Sequence, residues 1–190
     1  MNGVGDEQLV DLFVNSGEMR HFNELVCRHI SKVRSMIYPI VLNNADADDL
    51  TQEVFVRVAR SISGFRKRAG FSTWLHRIAM NTTYSFLRKK SRNPVDNNIE
   101  AAEQADNSSD PSGAMMTKET DSQISRALAC LSASLRSAIT LTAIHGMNVK
   151  EAAAAEGCLA ATMYWRVHEA RKRLRGKLVV PQADPPRRKT

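Results

Sequence analysis

The chain has 190 residues, of which 43% are hydrophobic, so it is long enough for one ordinary domain or two small ones. Its 27 Lys and Arg residues outnumber its 20 Asp and Glu residues, and the net charge of +7 favours a polyanionic partner, either nucleic acid or an anionic membrane surface. Three scattered cysteines without zinc-ligand spacing argue against a metal site, and the sequence lacks a signal-peptide pattern or a membrane-length apolar run. We therefore expect a cytoplasmic protein with no direct membrane insertion.

Helical spacing dominates the chain, and strand-like alternation is nearly absent, which predicts an all-α fold. A first helix is expected over 6–16. A second is expected over 20–38, where Pro39 should end or kink it. Asp46, followed by an acidic residue at the third helical position, predicts the start of a third helix that reaches about residue 62.

The stretch 65–92 is basic and aromatic, with eight Lys or Arg residues, no Asp or Glu, and five aromatic residues among them. It contains a fourth predicted helix, capped by Ser72 and ending near Lys90. Cations bind phosphates and aromatic rings stack on bases for about 1–3 kcal/mol each, so the stretch indicates single-stranded DNA. The alternative is that three of the rings, Phe65, Phe71 and Trp74, fill a small core.

Two faces of the fourth helix are expected to differ in role. Residues at i, i+3, i+4, i+7 and i+11 should face the core: Leu75, Ile78, Ala79, Thr82 and Phe86. A second stripe, about 100° around the helix, should face outward: Trp74, Arg77, Asn81, Tyr84 and Arg88. Asn81 is placed there to read a base edge.

After this stretch the composition becomes acidic and polar, which predicts a flexible linker over 93–120. Helical spacing resumes at about residue 118 and continues through 141. It leads into a second small domain over 121–179, and we expect a disordered tail over 180–190.

The second domain is expected to end in a helix-turn-helix, with helices over 149–156 and 160–178. Asn148 and Glu151 predict a capping box, and Gly157 supplies the turn. The last helix should bury one stripe: Met163, Val167, Ala170, Leu174 and Leu178. A cation-rich second helix after a short turn is typical of a recognition helix, although the same cations also suit the C-terminus of an ordinary helical hairpin.

Three motifs occur in order: DADDLTQEVFVRV at 46–58, FRKRAGFSTWLHRIAMN at 65–81, and LRSAITLTAIHGMNVKEAAAAEGCLAATMYWRVHEARKRLR at 135–175. Together they resemble the extracytoplasmic-function (group 4) sigma factors of bacterial RNA polymerase, in the sigma-70 family. The resemblance implies a region 2 helical bundle over 1–92 and a region 4 helix-turn-helix over 121–179. It also implies an alternative sigma factor, without enzyme activity or cofactor, that directs promoter-specific transcription initiation.

The resemblance further implies three binding surfaces. The core polymerase surface comprises Asp49, Gln52, Glu53 and Arg57. The minus-10 DNA surface comprises Phe65, Arg66, Lys67, Phe71, Ser72, Trp74, Arg77, Asn81 and Arg88. The minus-35 DNA surface comprises Thr162, Tyr164, Trp165, Arg166, His168, Arg171 and Lys172. The implied partners are the clamp helices and flap of core RNA polymerase, promoter DNA, and an anti-sigma factor, while the linker would occupy the RNA exit channel.

The chain departs from the family at the recognition helix, where Tyr164 and Trp165 replace a cation and a small residue. Trp165 should face away from the core and contact either DNA or a bound inhibitor. Arg68 and Pro39 also depart from the family pattern. The sequence also suggests two alternative functions. A stand-alone helix-turn-helix regulator of duplex DNA leaves 65–92 unexplained, and a nucleic-acid-processing enzyme would need a clustered site, for which the five histidines are too scattered.

Overall fold

The computed structural model describes residues 4–92 and 123–175. These residues form helices and turns without a strand, which confirms the all-α prediction. The predicted linker over 93–120 and the tail over 180–190 lie outside the described residues. Over residues 4–92 and 123–175, no helix combines the length and the apolar content that a membrane crossing requires.

Four helices build the N-terminal domain: α1 (Asp6–Ser16), α2 (Met19–Val41), α3 (Asn44–Ser61) and α4 (Phe71–Arg92). A 3-10 turn, Ile62–Gly64, follows α3. Helix α2 lies at the centre and packs against the other three, and α3 also packs against α4. The apolar stripes predicted by helical spacing meet in one buried core, which includes Leu25, Val33, Met36, Ile37, Ile40, Val54, Val58 and Leu75.

The predicted boundaries of α2 and α3 were wrong. Helix α2 continues through Pro39 to Val41, because the full burial of Ile37 and Ile40 on either side offsets the backbone hydrogen bond that Pro39 cannot donate. The N-cap of α3 is Asn43 rather than Asp46: the Asn43 side chain accepts a hydrogen bond of 2.9 Å from the backbone N–H of Asp46, which lies in the first turn.

The start of α4 is stabilised from another helix. Its first backbone N–H, that of Phe71, donates a 3.0 Å hydrogen bond to Oε1 of Glu7 in α1. The predicted cap, Ser72, lies inside the helix instead. A carboxylate 64 positions away in the chain thus accepts the hydrogen bond that the side chain of a local N-cap residue would otherwise accept.

The C-terminal domain begins with a helix, α5, whose described part covers 123–129. Helix α6 (Ala133–Ile139) follows and runs into a π-helical turn, Thr140–Ile144. The helical run predicted through residue 141 is therefore interrupted between α5 and α6. Helices α7 (Val149–Glu156) and α8 (Ala160–Arg175) complete the domain.

The helix-turn-helix prediction is confirmed at its local signals. The side chain of Asn148 accepts from the N–H of Glu151 at 2.9 Å, and the Glu151 carboxylate accepts from the N–H of Asn148 at 3.0 Å. Gly157 has a φ of 66°, the left-handed conformation that favours glycine after a helix. The buried stripe of α8 includes Met163, Val167 and Ala170, with Leu174 partly buried; Leu178 is outside the described residues.

The two domains pack directly against each other. Helix α4 contacts α7, and α2 contacts α6 and the π-helical turn. One buried apolar cluster is continuous across this contact and includes Ala138, Leu141, Ala152, Ala153, Ala155 and Met163 from the C-terminal domain. Helix α4 is consequently covered on two sides, and its third side is exposed.

Candidate nucleic-acid interface

Three aromatic rings lie where the chain enters α4. The centroids of Phe65, Phe71 and Trp74 are 5.3 to 5.9 Å apart. Phe71 is only 1% exposed and packs in the core, so the structure argues against its predicted contact with DNA. Phe65 and Trp74 are partly exposed at the rim of this cluster. The small-core alternative thus describes Phe71 fully, whereas Phe65 and Trp74 pack against the core and stay partly exposed.

The loop before α4, residues 65–70, presents cations to solvent. Arg66, Lys67 and Arg68 are all exposed. Lys67 has a φ of 54°, and its Nζ lies 2.5 Å from Oδ2 of Asp11 in α1. The loop is therefore held against α1 at Lys67 as well as at the Glu7 contact.

The exposed side of α4 carries the predicted outward stripe. Arg77, Asn81 and Arg88 are exposed and share one face, beside the half-buried Trp74. Ser72 lies about 160° around the helix from this face, so the structure does not group it with the stripe. Tyr84, the remaining member, is half-buried and forms a hydrogen bond at the domain contact.

Helix α3 presents the predicted polymerase surface on its solvent side. Asp49, Gln52, Glu53 and Arg57 are all exposed, and Arg57 pairs with Glu53 at 2.5 Å. Val56 lies among them and is 48% exposed, although it was not among the predicted residues. Its exposure could have been predicted from its position, one residue before Arg57 and three after Glu53, on the polar face of the helix.

Helix α8 exposes most of the predicted minus-35 surface. Tyr164 and Trp165 are each 61% exposed. Trp165, His168 and Lys172 follow one another at i, i+3 and i+7, opposite the buried stripe. Of the other residues predicted for this surface, Arg171 is exposed, and Thr162 and Arg166 are half-buried.

A buried carboxylate at the end of α7 was not predicted from the sequence. The side chain of Glu156 is 1% exposed and forms an ion pair with Arg166. It accepts hydrogen bonds from Ser137 and, at 3.1 Å, from the Tyr84 hydroxyl. Burial raises the pKa of Glu156 despite these donors, and burial also raises the pKa of Tyr84, which keeps its hydroxyl protonated. In the sequence, Glu156 is marked only as a single acidic residue that follows four alanines and immediately precedes Gly157.

A polar cavity of about 220 Å³ lies between the domains. It is lined by Lys32 of α2, His76 of α4 and His145 of the loop before α7, among others. Burial is the main reason that the pKa of His76 is lowered to about 4, and burial also lowers the pKa of His145. Over residues 4–92 and 123–175, no three His, Cys, Asp or Glu side chains are grouped to hold a metal ion.

Comparison with known proteins identifies both halves of the chain. The sigma-70 region 2 family matches residues 25–93, and the sigma-70 region 4 family matches residues 121–174. The ECF RNA polymerase sigma-E factor of Escherichia coli K12 is 33% identical over 91% of this chain and 94% of its own length. The RNA polymerase sigma-H factor of Pseudomonas aeruginosa is 30% identical over 88% and 90%, respectively.

Two solved structures have the same fold over most of the chain. CnrH, in complex with the cytosolic domain of CnrY, is 26% identical with a TM-score of 0.67, covering 90% of this chain and 95% of that one. The sigma factor RpoE, in complex with the anti-sigma factor NepR from Bartonella quintana, is 27% identical with a TM-score of 0.69, covering 85% and 98%. With two family matches in order and relatives aligned over nearly their full length, the chain belongs to the extracytoplasmic-function sigma factors of the sigma-70 family.

Proposed function

We propose that this sigma factor binds core RNA polymerase through α3, opens the minus-10 promoter element through the loop 65–70 and α4, and reads the minus-35 element through α8. Region 2 would cover 1–92 and region 4 would cover 121–179, joined by the segment 93–120. We place the protein in the cytoplasm, where its polymerase and promoter partners are.

One observation carries the proposal for promoter opening. The exposed face of α4 presents Arg77, Asn81 and Arg88 beside the half-buried Phe65 and Trp74. Cations on that face would hold the phosphates of a single strand while the rings stack on bases. Asn81 offers both a donor and an acceptor to a base edge.

The proposed minus-35 surface on α8 differs in chemistry from the exposed face of α4. On α8 the exposed Trp165 and Tyr164 adjoin His168, Arg171 and Lys172. Apolar side chains in a major groove contact thymine methyl groups, and neighbouring cations bind the phosphates on either side. We propose that Trp165 makes such an apolar contact in the promoter complex.

A protein inhibitor is proposed as the further partner. CnrH and RpoE, the two structural relatives, were solved with CnrY and with the anti-sigma factor NepR, respectively. Their similarity to this chain supports an anti-sigma factor that contacts both domains here.

The test for promoter opening is transcription in vitro with core polymerase and genomic promoter fragments, with permanganate to detect unpaired thymines. Trp74→Ala and Asn81→Ala should each lower opening by about tenfold, because each removes a contact made only with separated strands. Binding to core polymerase should change less than about twofold. Lys89→Ala, an exposed cation elsewhere on α4, is the matched control.

Equal losses of core binding and opening would reassign Trp74 and Asn81 to structural roles. Absence of specific initiation by the wild type, with tight duplex binding in the absence of core, would replace the sigma-factor proposal with that of a stand-alone regulator.

A further inference from the structure

The polar cavity between the domains is lined by hydrogen-bonding atoms that the protein itself leaves without partners. His76 is 4% exposed, and its Nε2 atom has no hydrogen-bond partner among the described residues. The Nε2 atom of His145, which lines the same cavity, is also buried and has no partner in this part of the chain. Native proteins rarely leave buried polar atoms unpaired, so the two nitrogens together indicate that the cavity holds a polar ligand.

The charges around the cavity favour an anion as that ligand. Burial is the main reason that the pKa of His76 is low, and repulsion from Lys32, His145 and His29 lowers this pKa further. A negative charge in the cavity would offset that repulsion. Glu151 is the acid among the lining residues, and its carboxylate already accepts a 3.0 Å hydrogen bond from the N-cap backbone of α7.

The size of the cavity restricts the anion to a small one. Its volume of about 220 Å³ exceeds the roughly 30 Å³ that one water molecule occupies in the liquid, and it falls below the roughly 300–1,000 Å³ of sites for drug-sized ligands. A group of a few heavy atoms, with some water, therefore matches the space.

Among small anions, phosphate matches the donors and acceptors of the walls. The ammonium group of Lys32 only donates, and the hydroxyl of Thr73 either donates or accepts. A neutral imidazole presents either an N–H or a lone pair at Nε2, depending on its tautomer. Phosphate near neutral pH has oxygens that accept and an O–H that donates, so it can pair with both kinds of nitrogen. Sulfate and carboxylate ions only accept.

We propose that this cavity is a binding site for a phosphate group, either free inorganic phosphate or the phosphate of a small metabolite. Lys32 of α2 pairs with its charge, and the hydroxyl of Thr73 in α4 donates to one of its oxygens. The imidazoles of His76 and His145 complete the site from the two domains. The site uses neither polymerase nor DNA, so the inference goes beyond the proposed function and is tested independently of it.

The proposal predicts opposite effects for the cation and the acid of the cavity. Isothermal titration calorimetry of the free, full-length protein with inorganic phosphate should show one saturable site. Lys32→Met and Thr73→Val should each weaken binding by about tenfold, because each removes a hydrogen bond to a charged ligand. Glu151→Gln removes the repelling charge and keeps an oxygen for the N-cap hydrogen bond, so binding should tighten by about threefold.

Two controls locate the bound phosphate. Lys89→Met removes an exposed lysine from a separate basic hollow at the end of α4 and should leave the affinity unchanged. In nitrogen-15 spectra of the imidazole rings, the signals of His76 and His145 should shift when phosphate is added, whereas the signal of the exposed His168 should not.

Two further ligands define the chemistry of the site. Sulfate, which has no O–H to donate, should bind about tenfold more weakly than phosphate. Glycerol 3-phosphate distinguishes the two sources of the phosphate group: tighter binding than that of inorganic phosphate assigns the site to a phosphorylated metabolite, and weaker binding assigns it to the free ion.

Absence of saturable binding by about 10 mM phosphate would overturn the inference, since a weaker site is not a specific one. So would a loss of affinity in Lys89→Met with none in Lys32→Met, which would place the ion in the hollow on α4. Equal affinities for sulfate and phosphate would refute the choice of phosphate. Lys32 is exposed, so Lys32→Met tests the site without disturbing the core, and circular dichroism checks the fold of each variant.

Discussion

His76 and Glu156 are ionisable side chains that the domain contact removes from water, with opposite consequences. Burial lowers the pKa of His76 to about 4, below its ordinary 6.5, and raises the pKa of Glu156 above its ordinary 4.5. Each group is therefore driven toward its neutral form while the two domains are packed together. Separation of the domains would let His76 take up a proton or Glu156 release one, so both shifts link the domain packing to pH.

The shift at His76 predicts that acid weakens the packing of the two domains. Because the lowered pKa belongs to the packed form, the stabilisation is present above the ordinary pKa of 6.5 and is lost as the pH falls toward about 4. The groups that face His76 oppose its protonation: Lys32 and His29 from α2 and His145 from the loop before α7, with Glu151 of α7 the acid among the cavity-lining residues. His76→Gln should flatten the change, between about pH 7 and about pH 5, in the distance between spin labels on the exposed Cys27 and Cys130, measured with Cys158→Ser as background.

The control for this measurement is His168→Gln, at an exposed histidine on the recognition helix. It should retain the wild-type pH profile. An acid-side profile that is the same in His76→Gln and the wild type would contradict the role assigned to His76.

At the scale of the helices, local signals predicted the fold where both partners lie close in sequence. Asn148, Glu151 and Gly157 define the helix-turn-helix, and all three act within one or two turns. The start of α4 was predicted wrongly because its cap, Glu7, comes from α1. The second buried side of α4, which includes His76 and Met80, exists because α7 packs there, and the spacing within α4 does not reveal that partner.

The residues of the candidate sites were likewise predictable only where the signal lies within one helix. Helical spacing alone predicted that Arg77, Asn81 and Trp165 are exposed, because each lies opposite an apolar stripe on its own helix. The burial of Phe71 and the ion pair of Arg166 were not predictable, since each depends on a side chain from another element.

Helix α3 carries a prediction of its own at Val56. An exposed apolar residue surrounded by polar side chains is typical of the centre of a binding surface, so Val56→Ser should weaken binding to core polymerase by about tenfold. The free energy of unfolding should change by less than about 0.5 kcal/mol, because the side chain is 48% exposed. Competition with a labelled sigma factor for core polymerase measures the first quantity, and urea unfolding measures the second.

Val14→Ser, at a 46% exposed valine on α1, is the matched control and should leave core binding unchanged. Equal binding losses at the two positions would show that Val56 has no special part in docking.

At the scale of the whole molecule, the shared apolar cluster predicts that the two domains unfold together. The chain has two tryptophans, Trp74 in the N-terminal domain and Trp165 in the C-terminal domain, so Trp74→Phe and Trp165→Phe each leave one reporter. Their urea transitions should coincide, because one buried cluster spans the contact. Ala155→Arg, at a buried position on the cavity wall, should separate them.

Ala161→Arg, an exposed alanine on α8, is the matched control and should keep the transitions coincident. Separate midpoints for the two reporters without any substitution at Ala155 would mean that the domains are thermodynamically independent.

The contacts of Glu7 and Asp11 with the start of α4 bear on the order in which the protein is made. Both carboxylates, and the loop and helix that they hold, lie within the first 92 residues, so a ribosome releases the whole proposed minus-10 surface before any of α7. Synthesis at about 5–20 residues per second then leaves some seconds before α7 emerges. During that interval the nascent chain presents α4 with no second domain to cover it.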